Sequence, residues 1–156
     1  MLKADSWEQG VQTLLAQSRI CFLSTRGKQG PETSMAPYAL HGGNILLHLS
    51  GLAKHFSNIK TSPYIGLMIC TPETAGESPL GLPRLSLQGV VAPVSDGLLE
   101  RAKAVYLARL PDAEPLFAFA DFRLFQFEPE HIHWVGGFGK ARTVSLAQWR
   151  KLVGCS

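Results

Sequence analysis

A chain of 156 residues, 46% hydrophobic and 17% charged, has apolar mass for one domain-sized core and excludes a disordered polymer. Net charge is only +3, and the densest basic group, Lys140, Arg142, Arg150 and Lys151, lacks the interleaved aromatics of a nucleic-acid platform. No apolar run approaches the length of a membrane-spanning helix, so neither nucleic acid nor membrane is an expected partner.

Asp5 or Ser6 can cap a first helix, whose apolar face carries Trp7, Val11, Leu14 and Leu15 at helical spacing. Asp5 and Glu8 stand where a secretory signal needs a basic start and an apolar centre. Cys21, Cys70 and Cys155 are odd in number and far apart, and the first two sit within apolar runs as buried, reduced thiols. A soluble cytoplasmic protein is the expectation.

RICFLSTR, residues 19–26, is rich in strand formers, and the turn GKQG joins it to ETSMAPYAL as a hairpin. A second turn, His41 to Asn44, leads into ILLHLS, so three strands form an antiparallel meander. A helix from about Leu52 to Lys60 interrupts it before YIGLMIC resumes as a buried strand. Residues 72–83, with three prolines and two glycines, are a loop. PRLSLQGVVAPV reads as a long strand with a bulge or bend at Gly89.

Asp96 caps a helix carrying Leu99, Ala102, Val105 and Tyr106, which stops before Pro111. A short helical turn around Phe117 precedes two more strands, DFRLFQFEP and HIHWVGG, and the tail after Ser145 forms a last short helix. Six or seven mostly antiparallel strands with a few helices predict a small barrel closed around one core, a single domain over residues 1–156. The class is mainly β with α; alternating βα units are missing, which excludes a doubly wound fold.

The segment Gly42 to Ile59, GGNILLHLSGLAKHFSNI, carries the clearest chemistry. An apolar run ends at Leu49 and Ser50, and a helical pattern begins almost at once, with Lys54 and His55 in its first turn. A helix start exposes unpaired N–H groups and the positive end of its dipole, so the corner suits an anion such as phosphate. The same residues also fit a simpler arrangement, in which Ser50 caps the helix and Lys54 and His55 lie on its solvated face.

Other centres are weaker. GFGKAR at residues 137–142 lacks the third glycine and the βαβ context of a dinucleotide loop. His131 and His133 share one face of a strand, yet no acidic or cysteine ligand sits at a metal-binding spacing with them, His41 or His48. They read as outward polar positions, and no metal is assigned. Asp121 closes the turn before an aromatic-rich strand.

GPETSMAPYAL, ILLHLSGLAKHFSNI, SPYIGLMI, RLSLQGVV and DFRLFQFEPEHIHWVGGFGKA, taken in order, resemble the flavin-binding split-barrel superfamily of pyridoxamine 5'-phosphate oxidase, and most closely its haem-utilisation and general FMN-binding branch. The specific pieces are LHLSGLAKHFSNI and VGGFGKA. The resemblance implies a six-stranded antiparallel split barrel flanked by helices, a homodimer holding FMN between its subunits. It implies that Ser50, Lys54 and His55, with Leu49 before them, hold the phosphate. The strand Ser34, Met35, Ala36 and Pro37 would run along the flavin edge, Arg84 would reach the ring, and Trp134 would cover it from the partner subunit.

Where the vitamin B6 oxidases carry Arg-Lys and a late Arg-x-His, this chain has Lys54-His55 and Lys140-Ala141-Arg142. The resemblance therefore extends to an FMN oxidoreductase without naming its small-molecule substrate. Two other readings stay open: a haem-binding protein using His131, His133 or His41, and a flavin-binding module without catalysis.

Overall fold

The computed structural model describes residues 6–154; Asp5 and Cys155 lie outside them. Helix α1 (Trp7–Gln17) is capped by Ser6, whose hydroxyl accepts from the Gln9 amide while the Gln9 side chain accepts from the Ser6 N–H. Its buried face is Val11, Leu14 and Leu15, with Trp7 half-buried. Arg109 donates to the carbonyls of Leu15, Ala16 and Ser18 at 2.8–3.0 Å, satisfying the end of this helix.

Strands β1 (Ile20–Gly27), β2 (Gly30–His41) and β3 (Asn44–Ser50) form the expected meander. The β2–β3 turn needs glycine: Gly42 and Gly43 both have positive φ, 60° and 86°. Helix α2 (Lys54–Thr61) follows, then β4 (Tyr64–Cys70), β5 (Arg84–Pro93), α3 (Asp96–Arg109), a 3-10 segment Pro111–Ala118, β6 (Phe122–Val135), β7 (Ala141–Val144) and α4 (Leu146–Val153). Strand order is β3-β2-β1-β4-β5-β6-β7, and β3 also pairs with β6. Six antiparallel strands therefore close into a barrel, with β7 added outside the ring.

Four local expectations are corrected. The two late strands are one, β6: its register steps from His131 opposite Gln88 to Pro129 opposite Gly89, leaving Glu130 as an extra, bulged residue. Pro129 is tolerated at this irregularity, where a missing N–H does not break a regular ladder. The bulge falls beside Gly89 as expected, and a Cβ there would run into the Glu128 carbonyl. Residues 141–144 form the short strand β7. Helix α3 is preceded by Ser95 at the N-cap, with Asp96 inside its first turn, where its charge complements the dipole. Cys70 is only half-buried, whereas Cys21 is fully buried.

The main core fills the barrel with Leu23, Ile45, Leu47, Ile69, Leu85 and Phe127, each at most 1% exposed. Helix α2 adds Phe56 and Ile59 to it, Phe56 meeting Phe125 edge to face at 5.5 Å. A second core lies between α3 and the barrel wall, where Ala39, Leu46 and Leu124 meet Ala102, Tyr106 and Leu110. On the opposite outer face Phe22 stands between Met35 and Met68 in adjacent strands, and all three are exposed.

Candidate functional site: the corner between β3 and α2

Antiparallel pairing between β2 and β3 covers only Tyr38 to His41, so beyond Pro37 the two strands part. Residues 30–37 pair with β1 on one side and with no strand on the other. The Tyr38 N–H bonds the Arg19 carbonyl, so by alternation Ala36 and Ser34 also spend their backbone groups on β1, while Met35, with N–H and C=O, and Pro37, with C=O alone, face the free edge. Along that edge Ala36 faces the core and Met35 faces outward at 52% exposure. Leu49 is buried, so at this corner it offers backbone alone.

Ser50 does not cap α2. Its hydroxyl donates to the Asp121 carboxylate at 2.9 Å and accepts from the Leu52 amide at 3.2 Å. The Asp121 carbonyl takes the Gly51 N–H at 2.6 Å. Asp121 therefore closes the turn before β6 and also ties β6 to this corner. The N-cap of α2 is Ala53, which has no side-chain acceptor, so the Lys54 and His55 amides are left unpaired among the described residues. Lys54 is exposed and forms no ion pair among those residues.

His55 and Ser34, far apart in sequence, meet here: His55 Nδ1 lies 3.0 Å from Ser34 Oγ. The other ring nitrogen, Nε2, is buried without a partner. Burial holds the His55 pKa below its ordinary value, favouring the neutral ring. Neutral imidazole bonded through one nitrogen leaves the other as an unsatisfied donor or acceptor, a group that a ligand can complete.

Asn58, which sequence patterning did not single out, fixes α2 against the barrel. Its side-chain amide donates to Thr25 Oγ1 at 3.0 Å and to Glu32 Oε2 at 2.9 Å. The only signal for it was its place one helical turn beyond His55, on the face turned to β1 and β2.

Arg84 and Trp134 stand apart from this corner. Arg84 Nη1 donates to the Leu80 and Leu82 carbonyls, pinning the 72–83 loop. Trp134 is 2% exposed and packs in its own core between Gly10 and Gly136, where a Cβ would come within 2.8 Å and 2.9 Å of the indole. Burial also pushes the Cys21 thiol up to about 12, which excludes it as a thiolate nucleophile at neutral pH.

Residues 17–151 match the family model described as CREG, beta-barrel. The chain belongs to the CREG beta-barrel family. This CREG-type barrel is 27% identical over 132 residues to the heme oxygenase HutZ of Vibrio cholerae, covering 79% of this chain and 72% of HutZ. It superposes on a heme binding protein from Mycobacterium smegmatis with a TM-score of 0.84 and 26% identity, over 96% of this chain; it spans 62% of that protein's length. A putative pyridoxamine 5'-phosphate oxidase from Listeria innocua, TM-score 0.63 and 15% identical, covers 85% of this chain and 100% of its own, and shares the fold. The split-barrel architecture implied by the resemblance is thus the architecture of the CREG-type barrel. No helix among the described residues is long and apolar enough to cross a membrane.

Proposed function

We propose that this CREG-type barrel binds FMN with its phosphate at the β3–α2 corner and acts as a homodimeric oxidoreductase on a small molecule in the cytoplasm. The observation that carries the reading is the uncapped start of α2, where two amides are free, Lys54 and His55 occupy the first turn, and the buried His55 Nε2 has no partner. All are groups suited to phosphate oxygens, and the dipole adds to them. Ser50 and Asp121 shape the turn that presents them.

Bound FMN would supply the redox chemistry. The chain's part is to hold and tune it. The free backbone edge at Ser34–Pro37 can bond a flavin ring, and Arg84, whose Nη2 and Nε keep no acceptor among the described residues, is the cation available to a negatively charged reduced ring. The exposed apolar face around Phe22, Met35 and Met68 is the surface proposed for the second subunit. The free thiols of Cys21 and Cys70 suit a reducing compartment.

The test is a visible spectrum of the purified protein, mass identification of any released cofactor, and titration with FMN. A flavin spectrum as purified or saturable FMN uptake supports the reading; absence of both removes it. Bound FMN that no nicotinamide donor reduces would leave a binding module instead of an oxidoreductase.

A second reading, haem binding, draws on the similarity to the Vibrio heme oxygenase and the Mycobacterium heme binding protein. Its candidate iron ligands are His41, half-buried, and His131 and His133, exposed. A Soret shift on haem titration that is lost in the His131/His133 double substitution would favour it over the flavin.

A further inference from the structure

His131 and His133 lie on β6, away from the corner, with Ile132 between them turned into the core at 2% exposure. Alternation along a strand therefore turns both imidazoles to the outer face, and both are exposed. The strand rise sets their Cα atoms about 7 Å apart. Among the described residues the histidine rings with a hydrogen bond or aromatic partner are His48 and His55, so neither of these rings is committed elsewhere.

Their cross-strand neighbours are oxygen-bearing: Gln88 opposite His131, and Ser86 and Thr143 on either side of His133. Together these residues line a shallow cavity of about 350 Å³ on the barrel's outside.

We infer that His131 and His133 form a two-imidazole chelate for one divalent transition-metal ion, with Gln88 and water completing its coordination. Two side chains of this length, starting about 7 Å apart and pointing the same way, can both reach one ion at bond lengths of about 2.0–2.1 Å. The donor set is nitrogen with neutral oxygen. No group of three or more His, Cys, Asp or Glu able to hold a metal exists among the described residues. Such a set suits Cu²⁺, Ni²⁺ or Zn²⁺ and not Mg²⁺ or Ca²⁺, which need anionic or more numerous oxygens. It also makes an exchangeable site, not a closed structural one.

The geometry separates this from haem. Neighbouring side chains on one strand face approach an ion from the same side, whereas the open positions of haem iron lie on opposite sides of the porphyrin. The pair can give a bare ion two ligands and haem iron only one.

The test is equilibrium dialysis of the full chain against Cu²⁺ and Ni²⁺, with electron paramagnetic resonance of the Cu²⁺ form. One ion per chain with nitrogen hyperfine structure is expected. His131→Ala and His133→Ala should each weaken binding at least about tenfold, since each breaks a chelate in which the second ligand binds intramolecularly. The double variant should lose the ion while keeping its unfolding transition and its FMN affinity, and His41→Ala should keep the ion. No saturable binding, or binding that survives the double substitution, overturns the inference.

Discussion

A half-buried histidine whose one nitrogen is bonded and whose other is not is an unfinished structure, and His55 is in that state beside an unpaired helix start. Lys54 supplies the mobile charge at the same point. Lys54→Ala should weaken FMN binding by about 1.5–3 kcal/mol, the range for charge-assisted hydrogen bonds, with little change in stability because the side chain is exposed. Fluorescence titration of the flavin measures it, and unchanged affinity would return Lys54 to a solvated helix face. These two residues were legible in the sequence because a strand end followed at once by a helix start fixes what lies nearby. The partner of Ser50 was not legible: Asp121 is 71 positions away, and only the closed barrel brings it there.

His48 offers a separate residue-scale test. It is 6% exposed, stacked on Phe117 at 3.9 Å, and its Nδ1 has no partner. Burial first, and the Lys103 charge second, lower its pKa from 6.5 to about 4. In the unfolded chain the ring recovers its ordinary value and takes up a proton first as pH falls. Stability from the neutral ring is therefore complete above about pH 6.5 and is lost as pH falls toward 4, by roughly 3 kcal/mol. Urea unfolding of wild type and His48→Phe at pH 7 and pH 4.5 checks it: the variant should lose clearly less stability on acidification.

At the scale of elements, strand and helix periods predicted most of the barrel because one-sided burial dictates alternation, as β1 shows with its strict exposed–buried pattern. Two late strands were expected where β6 runs through as one, its irregularity taken up by a one-residue bulge. The short β7 carried no apolar alternation, with only Val144 buried, so nothing local marked it as a strand. Gly89 is where this arrangement is most vulnerable. Gly89→Ala puts a methyl against the Glu128 carbonyl, and the strands must shift to accept it. The expected loss is about 1–3 kcal/mol, typical of overpacking, read from a lowered thermal or urea midpoint. An unchanged midpoint would mean that the bulge is loose enough to move aside.

For the whole molecule, the decisive surface is the outer face of β2, β1 and β4. Ile20, Phe22, Met35 and Met68 are 40–52% exposed there, with cross-strand pairing placing Phe22 between the two methionines. Elsewhere α3 covers the barrel's outside and α2 contributes to its core, so this face is left without a covering element in the single chain. Large apolar side chains grouped on one exposed sheet face favour burial against another surface, and self-complementary burial requires a two-fold related copy. The free edge of β2, proposed to bond the flavin ring, lies on the same strand as Met35, so on that proposal cofactor retention and dimerisation are linked. Phe22→Glu and Met35→Glu each place a charge on that face without touching the core. Both should yield monomers by sedimentation velocity, retain the cooperative unfolding of the isolated barrel, and retain less FMN through gel filtration than the parent. A variant that stays dimeric would move the subunit contact to another face; one that becomes monomeric yet keeps its flavin would make the β3–α2 corner a complete site within one chain.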